Sequence, residues 1–567
     1  ECALSRSCLV LDPHDGTTLA ELILPDSAAW GMLAVSDSFL ITTADPIAFD
    51  STTEDCYVYS YKNKSLVGPG GLKTLNYAAS PRLYVLNRYS GDIRWHADAR
   101  TSFFHRAIAA GDGRLFAIDR FPAAGADTSA PSAVKAWDLR TGKLLWADST
   151  RVFARYLAYS PTYDLLVQAS RKSRDYFQGE PRPNRMVAWQ AADGAVLWEI
   201  APELDDAASI LGELFYYGGP IMLNDRTIIT QDGNDFMAVD LLTGAVHTVS
   251  HPLTEEKVDF YFRRHYGCTY AKGCPSLIAF RSGNAGMFDL ENMSGVHTFG
   301  GFKSGCTPSL IPGGGLLNAP EYTRTCGCSY PLQTSCALVY SPSTEVWTTN
   351  EGLAKRTGAA VLTRVGLNFG APGDRMDAHG TLWLDYPAGA VAAGFGNQEL
   401  PLRVTVEGDS VRTYRHHSLR FTGVSPWIGC SGLEGVRRIS IDLTLDSLTD
   451  DSTRIATPAP EREVDLTLYF AEPALGTTGT RIFAVAVGDS TVVAAYDPYA
   501  AAGAIRKTVA MRIGPIAVRD SVEIALTPVK GETVISGIGV VPHGSGVIAD
   551  AQAPVRGYVD LSAKVTR

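Results

Sequence analysis

The sequence predicts an all-β protein in two parts, a β-propeller followed by a β-sandwich. Three observations predict it. One hairpin pattern recurs through residues 1–350, alternating apolar strands fill most of the remainder, and no stretch carries the apolar periodicity of a strong helix.

The clearest hairpin is Val134-Lys135-Ala136-Trp137-Asp138-Leu139-Arg140-Thr141-Gly142-Lys143-Leu144-Leu145-Trp146. An apolar run ends in Asp, turns through Thr-Gly and leaves on a second run closed by Trp. Gly supplies the positive φ such a turn needs. In chain order, residues 8–12 lead to Asp15-Gly16, and residues 83–87 lead to Ser90-Gly91 and Trp95. Residues 186–189 lead to Asp193-Gly194 and Trp198, and residues 236–240 to Thr243-Gly244. Two degraded copies follow, residues 286–290 before Ser294-Gly295 and residues 337–340 before Glu345-Val346-Trp347. From the second copy the turns recur about every 50 residues, a period typical of propeller blades. One blade cannot bury both its faces alone, so blades pack radially and the closing Trp is suited to wedge between neighbours. The copies imply seven or eight four-stranded blades. The first begins a few residues from Glu1, which favours eight with the N-terminal part missing. Residues 63–71 read as a loop inserted between the first two copies.

After Trp347 the repeat stops. Residues 351–358 read as a linker and residues 359–545 as the sandwich, with a tail at 546–567. Period-two patterning at 438–443, 464–470, 482–487 and 521–526, with Gly and Pro in the turns, supports that division.

A net charge of −10 argues against a nucleic-acid partner. No apolar run is long enough to span a bilayer as a helix. Of ten cysteines, six crowd between Cys268 and Cys336. An even, clustered count reads as disulfides formed in an oxidising compartment. The candidates are Cys2, Cys8, Cys268, Cys274, Cys306, Cys326, Cys328 and Cys336. Cys326-Gly327-Cys328 is spaced too tightly for the usual zinc pair, and no metal site is expected.

Leu468-Tyr469-Phe470-Ala471-Glu472-Pro473, Gly479-Thr480-Arg481-Ile482-Phe483-Ala484-Val485, Ala495-Tyr496-Asp497 and Ile535-Ser536-Gly537-Ile538-Gly539-Val540 occur in that order. Together they resemble the malectin-type carbohydrate-binding module, over roughly residues 360–545. The resemblance implies glycan binding by aromatic and polar side chains on loop tips. Tyr386, Tyr414, His416, His417, Trp427 and Tyr496 are the candidates.

The Asp-x-x-Thr-Gly-x-x-x-Trp hairpin is similar to the repeat of quinoprotein-like (PQQ-like) propellers, shared by quinone-dependent dehydrogenases and an outer-membrane assembly lipoprotein. Residues 300–307, residues 317–330 and Gly366-Leu367-Asn368-Phe369-Gly370-Ala371-Pro372-Gly373-Asp374-Arg375 resemble large secreted propeller proteins of planctomycete type. Quinone-binding members of the family hold calcium and a disulfide of adjacent cysteines, and this chain has no adjacent pair. Neither PQQ nor calcium is expected.

The first reading is therefore a secreted, cell-surface or periplasmic protein. Its propeller is an interaction platform for other surface proteins, its malectin-like module binds carbohydrate, and no catalysis is expected. A second reading is a polysaccharide lyase or glycoside hydrolase working on the propeller face. His105, Tyr322 and Arg324 would then supply proton transfer and charge stabilisation, among face candidates that also include Arg106, Asp119, Arg120, Arg264, Tyr266 and Arg281. A quinone-dependent dehydrogenase is the third.

Overall fold

A computed structural model describes residues 5–49, 76–119, 133–152, 156–169, 186–200, 221–232, 234–265, 267, 271–300, 302, 310–320, 335–339, 341, 345–350, 360–387, 402–445, 447–448, 454–455 and 459–545. The chain divides into two compact units, 1–247 and 248–567. It is all-β, with quinoprotein-like propeller blades followed by a malectin-like sandwich.

In the first unit the turn glycine of each copy donates its N–H to the carbonyl four residues back, and two copies add the same Asp–Thr side-chain bonds. Between the Ala133–Asp138 and Leu144–Asp148 strands, the Asp138 carboxylate accepts hydrogen bonds from the Thr141 N–H and hydroxyl, both at 2.7 Å. Gly142 sits at φ 72° and its N–H donates to the Asp138 carbonyl. Asp240 and Thr243 repeat the arrangement at 3.0 Å. The closing Trp of one hairpin then reaches the turn of the next. Trp95 Nε1 donates to the Leu139 carbonyl at 2.8 Å, Trp146 to Ala191 at 2.9 Å and Trp198 to Leu241 at 2.9 Å. The indole lies against the turn glycine. A Cβ on Gly142, Gly194 or Gly244 would meet the Trp95, Trp146 or Trp198 ring at 2.7, 2.7 or 2.8 Å. Glycine thus serves both the backbone angle and the Trp seat.

These hairpins sit in extended sheets. Tyr156–Ser160, Leu165–Ala169, Met186–Gln190 and Val196–Ile200 form one complete four-stranded antiparallel blade. Upstream, an eight-stranded sheet fuses two blades through the long Ile93–Gly111 strand. Its first half pairs with Asn76–Asn87 and its second half with Arg114–Asp119. Burial runs between successive sheets: Phe104, Phe116, Val134 and Ala136 share one core with Leu157, Leu166, Val187 and Trp189.

In the second unit, Leu277–Ser282, Asn284–Asp289 and Val296–Thr298 continue the blade pattern. The seventh hairpin departs from it. Cys336–Leu338 pairs with Leu316–Ala319, while the chain after Trp347 enters Thr348–Thr349, which pairs with Val296–Thr298. The reason lies in the partner Thr348 finds. It exchanges backbone hydrogen bonds with Asp374 at 2.8 and 2.9 Å, and its hydroxyl donates to the Ser294 and Asp374 carbonyls.

The sandwich packs a seven-stranded sheet (Arg375–Met376, Leu382–Tyr386, Val365–Phe369, Gly537–Pro542, Arg462–Phe470, Lys507–Val518, Thr422–Gly423) on a second sheet. The second contains Val404–Arg415, Ser431–Asp442, Ser521–Lys530, Ile482–Val487 and Ser490–Tyr496. Inward residues such as Leu367, Phe369, Leu468, Phe470, Ile439, Val485, Ile524 and Leu526 form one core. On the outer face of the seven-stranded sheet Trp383 lies flat over Gly366, where a Cβ would fall 2.2 Å from the ring. The short Pro426–Gly429 helix covers that face beside it.

Candidate functional site

His105 is half-buried on the Ile93–Gly111 strand. Its Nε2 lies 2.9 Å from Ser80 Oγ and 3.1 Å from Thr43 Oγ1. Burial pushes the imidazole down to about 4. A nucleophile and its base need such a distance, but Ser80 and Thr43 are fully buried, so the contact closes a polar gap in the sheet. Asp119, also buried, accepts from the Arg100 N–H at 2.8 Å and from Lys135 Nζ at 2.7 Å. Arg106 is exposed. In the second unit, the buried Arg264 and Arg281 donate to the Gly267 and Gly283 carbonyls at 2.9 and 3.0 Å. Each of these two thus holds a loop carbonyl. Arg120, Tyr266, Tyr322 and Arg324 lie outside the described residues, as do Cys2, Cys268, Cys306, Cys326 and Cys328. Cys8, Cys274 and Cys336 are free thiols in this structure.

The motif residues of the sandwich turn out to hold each other. Arg481 Nε donates to Glu472 at 2.8 Å, its NH2 to Glu434 at 2.6 Å, and its NH1 to the Glu532 and Thr533 carbonyls. Asp497 accepts from the Gly479 N–H at 2.6 Å and caps the Pro498–Ala502 helix through the Ala500 N–H. Glu472 and Arg481 are 1% and 4% exposed, so each neutralises a charge that is costly to bury alone.

The six carbohydrate candidates differ in their surroundings. Tyr496 packs on Phe470 and Phe483, with ring centroids 4.8 and 5.8 Å apart. Tyr386 stands edge-on to Phe369 at 5.9 Å. The Tyr414 hydroxyl donates to the Gly429 carbonyl at 3.1 Å and lies 2.8 Å from Ser536 Oγ. Burial raises the pKa of all three phenols. All three are half-buried and pack against the sandwich core, as Trp427 packs against Trp383 and Ile428. His416 is half-buried between Tyr414 and Phe421. His417 is exposed and Trp427 half-buried.

Around these two the structure assembles a cluster. Trp427, on the short helix, stands edge-on to Trp383 at 5.6 Å and to Trp347 at 6.3 Å. The Arg375 guanidinium carbon lies 4.9 Å from the Trp427 ring centre and 5.7 Å from that of Trp347, in cation–π range. Glu345 accepts from the Ser418 N–H at 2.5 Å and from Trp347 Nε1 at 3.2 Å, with His417 Nδ1 3.5 Å away. Although burial pulls the Glu345 carboxyl up, the hydrogen bonds from Ser418 and Trp347 and the nearby His417 hold it below its ordinary value. Asp374 fixes the geometry from behind. It is fully buried, and accepts from the Asp385 N–H at 3.1 Å and Asn350 Nδ2 at 2.9 Å. Cys430, beside the cluster, has its thiol pushed up to about 12 by burial.

Of the residues in this cluster, the sequence named Trp427 and His417, and not Arg375, Trp347 or Glu345. Trp347 read as a blade terminator; the signal that it differs is that no hairpin follows it.

A cavity of about 500 Å³ lies on the other side of the Arg375–Met376 strand, reached by Met376. Its lining includes His251, Glu255, Asp259, Tyr261, Arg364 and His379. Glu255 and Arg364 face each other across 3.5 Å there. Among the described residues no group of three or more His, Cys, Asp or Glu side chains is placed to hold a metal ion.

Fold and site define a modular all-β chain in which propeller blades precede a sandwich bearing an aromatic and guanidinium surface. Two family models match it. The malectin domain matches residues 460–549, and the outer membrane protein assembly factor BamB matches residues 130–254. No curated protein matches the chain in sequence. Among solved structures, BamB from Moraxella catarrhalis is similar at 15% identity and a TM-score of 0.27, covering 42% of this chain and 61% of its own. The ANXUR2 extracellular domain from Arabidopsis thaliana is similar at 11% identity and TM-score 0.22, covering 32% and 48%. A Bacteroides uniformis beta-glucuronidase is similar at 11% and 0.21, covering 32% and 18%. The chain spans less than two thirds of each.

Proposed function

We propose that the protein is a non-catalytic binding protein of the cell exterior or periplasm. Its blades serve as a platform for other proteins, and its malectin-type sandwich binds carbohydrate at the surface formed by Trp347, Trp427 and His417. The observation that carries the reading is the malectin match over residues 460–549; Trp427 of that sandwich and Trp347 just before it are half-buried and close to each other. Flat apolar rings beside a few fixed polar groups are the general make-up of a small-ligand site. The blades extend to residue 350 in this reading, with the sandwich at 359–545. Among the described residues no helix is long and apolar enough to cross a membrane.

The lyase or hydrolase reading has less support. His105 commits its Nε2 to two buried hydroxyls, and Asp119 is bound by Lys135. The blade hairpin explains itself as packing, so the redox reading draws nothing from it, and no cofactor is needed.

The test is a glycan-array screen of the whole chain, with each bound glycan then assayed for new reducing and unsaturated ends. Binding without cleavage is expected. Cleavage of any bound glycan would transfer the function to catalysis, and silence across the array would remove the carbohydrate role.

A further inference from the structure

Arginines of the sandwich that pack against it are held by hydrogen bonds among the described residues: the buried Arg481 donates to two carboxylates and two carbonyls, and the exposed Arg415 donates to the Gly370 and Ala371 carbonyls. Arg375 has five N–H donors and, among the described residues, no hydrogen-bond or ion-pair partner. It lies between two indole faces, half-buried, in surroundings that depress its pKa through burial. A charge taken from water is costly unless it finds a partner. The two indoles engage the cation through its π contacts and leave its N–H donors for a ligand.

Glu345 is the near carboxylate, and it does not fill the role. One of its oxygens takes the Ser418 N–H and the other takes Trp347 Nε1, and it forms no ion pair with Arg375. It fixes the Trp347 ring, and its charge favours the protonated guanidinium without contacting it. Recognition then depends on direct N–H···O contact, which a planar guanidinium makes in pairs with carboxylate or sulfate oxygens.

We propose that Arg375 binds the anionic substituent, carboxylate or sulfate, of a sugar seated against Trp347 and Trp427. This rests on the carbohydrate reading above and narrows it to charged glycans. The two indoles supply apolar faces for the C–H side of the ring, and the guanidinium supplies the selectivity.

The experiment is calorimetric titration of the whole chain with three probes: an oligouronate, the same oligomer methyl-esterified, and a sulfated oligosaccharide. At least one anionic probe should bind about tenfold or more tighter than the neutral ester. Arg375→Gln should abolish that preference, and Arg375→Lys should restore part of it. Equal affinity of the wild type for charged and neutral probes overturns the inference and leaves the carbohydrate reading standing. So does a preference that survives Arg375→Gln. Binding of none of the three overturns both. The wild-type comparison decides the matter even if a variant fails to fold.

Discussion

Two sets of tryptophans occupy the same place in the sequence repeat and do different things. Trp95, Trp146 and Trp198 each close a hairpin, seat on the glycine of the next turn and donate one hydrogen bond to its backbone. Trp347 closes the last copy, but no further hairpin receives it. Its Nε1 goes to Glu345 and its ring faces Arg375 and Trp427. The difference teaches that a repeat ends where its packing device loses its partner. A side chain that packs in the other copies then makes different contacts.

The same contrast separates what could be read from the sequence. The blades depend on contacts between one copy and the next, and a recurring Asp, Gly and Trp displays each contact. The sandwich motifs were also visible, but as a pattern without a purpose: Glu472, Gly479, Arg481 and Asp497 are its internal ties. The surface cluster was only half legible. It joins Glu345 and Trp347 to Arg375, His417 and Trp427, residues up to 82 positions apart with no periodicity to connect them. Tyr386, Tyr414 and Tyr496 were named from sequence as well, and each packs partly against the sandwich core. An aromatic near a strand end looks the same in sequence whether it braces or binds.

The largest effect should come from the sandwich ties. Glu472→Ala leaves the Arg481 guanidinium short of its innermost partner and should cost about 3–5 kcal/mol in denaturant unfolding of the second unit. If it costs under about 1 kcal/mol, these motif residues do something other than hold the fold.

His105 comes next. Its folded-state value of about 4 lies below the ordinary 6.5, so the unfolded chain takes up the proton first on acidification. Stability is therefore fully present above pH 6.5 and is lost as pH falls towards 4, by up to about 3 kcal/mol. His105→Gln should remove that slope. A bell-shaped activity on any substrate controlled by His105 would instead reopen its catalytic role.

The repeated staple should fail equally wherever it is broken. Gly142→Ala, Gly194→Ala and Gly244→Ala each add a methyl group against an indole at positive φ, and each should cost about 1–3 kcal/mol. Unequal costs would show that the copies are not equivalent. The smallest change is Thr141→Val. It removes one hydroxyl donor from Asp138, whose pKa is lowered chiefly by that bond, and should cost about 0.5–1 kcal/mol while moving the Asp138 titration upward.

The central claim, that Trp347 has left the packing role of its repeat for a binding one, is tested by Trp146→Ala and Trp347→Ala in the whole chain. Thermal unfolding and glycan titration are measured on both. Trp146→Ala should lower the melting temperature by several degrees with affinity unchanged, and Trp347→Ala should abolish glycan affinity with little change in melting. A Trp347→Ala protein that melts early yet binds as the wild type does would contradict the claim.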